Sequence, residues 1–336
     1  MDYSALSKYR SELMGIAILW VMLFHTGLDF GIRPLNILRA TGFGGVDIFI
    51  VLSAMGLVVS LTHSEQSFFP FMRRRAIRVL PAYFLVMLSH TIFGIVRGTA
   101  PLSALFWNST LLSYWVRAEG SFNWYMSGIF LFYALTPFFF HWMKRTKHRT
   151  LFVSIGILFG IALYRFLIYL DNWFYLDVAY RLPVFFLGLL IGFFVCNKRP
   201  LGKKDVLFWF FWLACGLIYV IAHQQLHPYT VLLPLGALFL FTTVPTCLLL
   251  CLLFDRLPLG MFRRLLRLIG DCSLEIYLLN VSFFAEITLL QQWLSLENRP
   301  NLYHLIAVPV NLALGILLHK IMARIQIYIQ KPKAVV

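Results

Sequence analysis

"MRRRAIRVLPAYFLVMLSHTIFGIV", residues 72–96, is the stretch on which the fold turns. Four arginines (Arg73, Arg74, Arg75 and Arg78) lead straight into an apolar run that reaches position 97. A helix needs only about 20 apolar residues to cross the hydrocarbon core of a bilayer. The same unit, a small basic group followed by a long apolar run, recurs along the chain.

Composition agrees with that unit. Of 336 residues, 60% are hydrophobic and 13% charged, against about 45–50% and about 25% in soluble globular chains. The mean hydropathy is +0.79. The apolar runs are continuous rather than alternating, which argues against a β-barrel. The expected class is therefore all-α, a polytopic transmembrane bundle of ten spans. They are placed at roughly 12–28, 44–62, 79–97, 122–142, 151–170, 179–196, 206–222, 229–253, 268–290 and 303–323. An interruption is expected near Gly94 in the third span, and a kink at Pro234 or Pro245 in the eighth. The first span resembles a signal peptide but lacks a small-residue cleavage site, so it is read as a retained helix.

The 29 basic residues fix the orientation. Laid on ten spans, 21 fall on the side of the N-terminus, including "KRTKHR" (144–149) and "NKRPLGKK" (197–204). Only Arg33, Arg39, Arg97, Arg117 and Arg299 fall opposite, and Arg165, Arg181 and Lys320 fall within spans. Such asymmetry places both termini in the cytoplasm. It also argues against nucleic acid as the partner of the +15 net charge, because no single basic patch forms. One membrane domain, 1–336, is expected, with no soluble domain after the tenth helix.

Ionisable residues inside apolar helices are costly and point to function. His25, in "ILWVMLFHTG", lies about 18 Å along its helix from Leu13. It serves either as a polar tie between helices or in proton transfer. "LIGDCSLEIYLLNVSFFAE" (268–286) carries Asp271, Glu275, Asn280 and Glu286. Asp271 suits the helix dipole at the start of the span; Glu275 is deeper and asks for a functional reason. Asp47 and Ser53 follow the glycines of "TGFGGVDIFIVLS", where Asp47 also suits a helix N-terminus. Arg75 and Arg78 share a helix face and present two forks suited to phosphate oxygens. The competing reading is a cytoplasmic anchor attracted to anionic lipids. The five cysteines lie in or beside apolar runs without metal-ligand company, so they are read as small buried hydrophobes and no metal is expected.

Four segments in order, "MGIAILWVMLFH" (14–25), "FGGVDIFIVLSAMGL" (43–57), "FFPFMRRRAIRVLPAY" (68–83) and "LIGDCSLEIYLLN" (268–280), resemble the membrane-bound acyltransferase family 3. "SFNWYMSGIFLFYALTP" (121–137) resembles its aromatic segment. These are bacterial integral-membrane enzymes that acylate sugars of surface glycans. The resemblance implies that acyl-coenzyme A, acetyl-coenzyme A foremost, is the donor substrate, with no permanently bound cofactor. It implies a sugar acceptor, free or lipid-linked, and a place in the bacterial plasma membrane among its lipids. His25 matches the family's essential histidine, as base or acyl relay, Arg75 and Arg78 its arginine pair for the donor, and Glu275 and Tyr277 its late helix, with Glu275 expected as the catalytic acid that orients His25. Two positions depart: Met14 stands where the family has arginine, with Arg10 on the same face, and Asn280 stands where histidine is common. A transporter or flippase of a lipid-linked glycan is the alternative, though the inverted repeats expected of one are not evident. An inactive partner in an assembly is a third reading. Oligomeric state is not legible.

Overall fold

A computed structural model describes residues 1–225, 235–282 and 300–330. Those residues form helices α1 Ala5–Lys8, α2 Arg10–His25, α3 Arg33–Ala40, α4 Gly45–His63, α5 Phe68–Val96, α6 Ser103–Ser109, α7 Trp124–Arg145 and α8 Arg149–Tyr169. There follow α9 Leu176–Ala179, α10 Leu182–Cys196, α11 Lys203–Gln225, α12 Leu238–Arg256, α13 Gly260–Asp271, α14 at 273–282 and α15 Pro300–Gln330. No sheet occurs among the described residues; one isolated bridge joins Asp2 and Pro200.

Among the described residues, seven helical stretches have the length and hydropathy to cross a membrane. They overlap the expected second, third, fourth, fifth, sixth, eighth and tenth spans. At 16 residues, α2 is shorter than the rest, about 24 Å of helix. The expected seventh span falls on α11. Positions 229–234 of the eighth span, with Pro234, and 283–290 of the ninth, with Glu286, lie outside the described residues. The expected third span lies on α5, which shows no interruption at Gly94. α5 starts at Phe68, so all four arginines are helical. The Gly94 carbonyl then accepts the N–H groups of Thr99 and Ala100, closing the helix end. α12 runs as one helix through Pro245.

The chain divides into two compact units. The first comprises residues 1–17, 44–68 and 128–267. At its centre α10, nearly all of it buried, lies against α4. Glycines let the two backbones meet. A Cβ on Gly188 would stand 2.9 Å from the Val51 carbonyl oxygen, and one on Gly192 2.6 Å from Val58 Cβ. Small residues at such crossings let dispersion contacts operate where lipid weakens the hydrophobic drive. Phe132 stacks on Phe185 at 4.7 Å and Phe140 on Phe193 at 5.7 Å, continuing the core. Cys247 and Cys251 are buried, as small hydrophobes would be.

The same unit holds an unexpected ion pair. Asp47, in the first turn of α4, faces Arg181 of the α9–α10 corner, Oδ2 to Nε 3.7 Å, with both residues fully buried. Arg181 Nη1 donates to the Asp177 carbonyl at 2.6 Å, and its guanidinium lies 4.4 Å from the Tyr180 ring. Removing one partner of such a pair strands a buried charge, at about 3–5 kcal/mol. Arg181→Ala is accordingly expected to lower the thermal unfolding temperature of the detergent-purified protein sharply. Arg181→Met combined with Asp47→Leu should recover most of the loss. Equal melting of Arg181→Ala and the parent would mean the pair contributes nothing net.

The second unit comprises residues 18–43, 69–127 and 268–336. Asn108, fully buried, is its loop-fixing hub. Its side-chain amide donates to Thr91 Oγ1 (3.2 Å) and the Gly120 carbonyl (3.0 Å), and its Oδ1 accepts the Phe122 N–H (3.0 Å). The Asn108 carbonyl accepts the Tyr83 hydroxyl at 2.7 Å, tying the α6 loop to α5. Each buried polar atom so matched avoids an unmade hydrogen bond.

Candidate active site

His25, Arg75, Arg78, Glu275, Tyr277 and Asn280 all belong to the second unit. Arg10, Asp47 and Ser53 belong to the first. Arg10 Nε donates to the Leu52 carbonyl of α4 at 3.3 Å, close to Gly56. Asp47 is committed to the ion pair with Arg181, and Ser53 is half-buried on α4.

α15 organises the second unit's candidates. Along its sequence His304, Asn311, Gly315, His319 and Gln326 recur at intervals of three to four residues or their multiples, and so share one stripe. At its far end Gln326 Nε2 donates to the Arg78 carbonyl of α5 at 3.1 Å. Two turns earlier, His319 Nδ1 stands 3.2 Å from Glu275 Oε1 of α14. Gly315 comes next, where a Cβ would lie 2.4 Å from Ile276 Cγ1, so α14 and α15 meet at the backbone. Asn311 Nδ2 then donates to Asn280 Oδ1 at 3.2 Å. At the near end, His304 Nε2 accepts the N–H of Gly27, two residues after His25, at 3.0 Å.

The arginines differ in setting. Arg75 is half-buried, its guanidinium 5.3 Å from the Phe71 ring. Arg78 is exposed and within electrostatic reach of Glu275. Glu275 itself is 5% exposed, while His319 leaves a third of its side chain accessible. The Glu275 carboxyl thus has the His319 imidazole as its contact and the Arg78 charge within electrostatic range. Next to it, Tyr277 packs edge-on against Tyr125, rings 4.9 Å apart, and donates to Asn123 Oδ1 at 3.3 Å.

His25, an exposed residue, closes α2 with its ring edge-on to Phe24 at 5.2 Å. The helix end is held by close contact: a Cβ on Gly42 would fall 2.2 Å from the Trp20 carbonyl oxygen. Beyond His25, Asp29 and Asn301 exchange two hydrogen bonds at 3.1 Å, so the loop is tied to the start of α15. Hydrogen bonds from the Asn36 side chain and the Gly31 N–H hold the Asp29 carboxyl below the usual range.

A model of the acyltransferase domain, acyltransferase family 3, matches residues 13–320. The chain belongs to the acyltransferase 3 family. Neither a curated protein nor a solved structure matches it. The matched stretch runs from the second turn of α2 to Lys320 of α15, so the stripe of α15 as far as His319 lies within the acyltransferase domain. This acyltransferase is thus an integral membrane protein with several apolar helices of spanning length.

Sequence reasoning missed His319, His304 and Asn311. The signal for His319 was present, an ionisable residue inside the apolar tenth span. Nothing in the sequence pairs Asn311 with Asn280, or Arg181 with Asp47, because each partnership joins separate helices.

Proposed function

We propose that the protein transfers an acyl group, acetyl foremost, from cytoplasmic acyl-coenzyme A to a hydroxyl of a cell-surface or lipid-linked sugar. The setting is the bacterial plasma membrane, with ten spans and both termini cytoplasmic. The observation that carries this reading, beside family membership, is the stripe of α15. It engages the arginine helix, the glutamate helix and the loop behind His25 in turn.

In this reading Arg75 and Arg78 hold the polyanionic nucleotide end of the donor through forked, charge-assisted contacts. His25 Nε2 or Nδ1 takes the proton of the acceptor hydroxyl as its oxygen attacks the thioester carbonyl. The carbon–sulfur bond breaks, an ester forms, and the coenzyme leaves as thiolate, which takes up the proton from imidazolium. The relay variant has His25 attack first, releasing the thiolate; the hydroxyl then takes the acyl group from the ring nitrogen, and its proton passes to the thiolate. Glu275 acts through the imidazole it touches, His319, and balances charge beside the donor arginines. Tyr277 and Asn280 hold that segment in register from within its buried face.

The test is turnover in nanodiscs with acetyl-coenzyme A and a lipid-linked sugar. Free thiol should be released in step with sugar ester. Glycan crossing the bilayer with no thiol released would replace the enzyme with a transporter.

A further inference from the structure

The peptide group between Thr26 and Gly27 is held from both sides. Its carbonyl oxygen accepts Arg39 Nη1 at 2.9 Å, and its N–H donates to His304 Nε2 at 3.0 Å. Arg39 comes from α3 and His304 from α15, so two separate helices fix one peptide plane. A side chain here would have to push the imidazole aside: a Cβ on Gly27 would stand 2.8 Å from His304 Nε2. Thr26 is itself buried, its hydroxyl donating to the Leu23 carbonyl at 2.7 Å, so the turn leaving α2 has little freedom.

This peptide begins one residue after His25. An exposed side chain at a helix terminus is ordinarily the part of the helix that frays. Here, the backbone that sets its direction is tied down by hydrogen bonds that no local sequence pattern requires. We infer that Arg39 and His304 are positioning residues: they clamp the Thr26–Gly27 peptide and thereby aim the His25 ring. The inference rests on the catalytic reading of His25. It also assigns a tautomer, because a His304 Nε2 that accepts from Gly27 must carry its proton on Nδ1. Reactive geometry is lost over displacements of about 1 Å, so an aiming role is read in kcat rather than in donor binding.

The experiment uses the full chain in detergent or nanodiscs. His304→Ala is expected to lower kcat at least about tenfold with the donor KM unchanged, while His304→Gln, whose Oε1 reaches the place of Nε2, retains activity within about threefold. Gly27→Ala should be impaired, and its added methyl should cost much less in the His304→Ala background, because the clashing ring is gone. If His304→Gln is as poor as His304→Ala in equally folded samples, or if the Gly27 and His304 losses simply multiply, the clamp is overturned. Full activity of His25→Ala would instead remove the catalytic reading, and the coupling between Gly27 and His304 would then survive only in thermal stability.

Discussion

His25→Ala is expected to lower acyl transfer by about 10²–10⁴-fold, the usual contribution of a positioned general base. Insertion and folding should be unaffected, and the structure supplies the reason. His25 is an exposed residue at the last position of α2, and two backbone contacts that anchor the helix end do not use its side chain. Gly42 still meets Trp20, and the Thr26–Gly27 peptide keeps its two hydrogen bonds. A polar tie between helices would behave oppositely, with the melting temperature falling and activity falling only in proportion to folded protein. The measurement is ester formation at saturating donor, alongside thermal unfolding of the same preparation. Full activity would end the assignment. Quenching turnover in acid and mapping peptides then separates base from relay, because only the relay leaves acyl mass on His25.

The helices were legible because their signal is local. A run of apolar residues bounded by basic groups states its own length and sidedness, and α4, α5, α7, α8 and α10 stand close to where hydropathy puts them. α5 extends N-terminal to the expected span because arginine is a good helix former. Hydropathy sees a border at Val79 where the backbone sees none. Site residues divide on the same principle. Glu275 was conspicuous as a charge in an apolar run, but its partner was not inferable, since His319 reaches it only when α14 and α15 pack through Gly315. Likewise Asp47 reads as an ordinary first-turn acid until Arg181 is seen across from it. The tenth helix carried no motif, and its importance lies in contacts along its whole length.

The arginines decide whether the donor enters as proposed. Arg73, Arg74, Arg75 and Arg78 carry equal charge, so a pure topology signal would treat them alike. Their settings differ. Arg73 and Arg74 are exposed, Arg75 is half-buried over Phe71, and Arg78 lies within reach of the glutamate helix. Gln326 holds α5 through the carbonyl of residue 78, not through its guanidinium, so changing the side chain leaves that contact in place. Replacing Arg75 and Arg78 together by glutamine should therefore raise the donor KM on the order of 10²–10⁴-fold, from about 1.5–3 kcal/mol for each charged hydrogen-bonding group lost. The same two charges removed at Arg73 and Arg74 should change it less than about threefold, the scale of an exposed pairing. Lysine at 75 and 78 keeps the charge without the fork and should fall between. Donor affinity of the parent should weaken with added salt, and that dependence should shrink in the double glutamine variant as phosphate contacts disappear. Equal effects from the two glutamine pairs would return all four arginines to topology, leaving the donor to be held elsewhere.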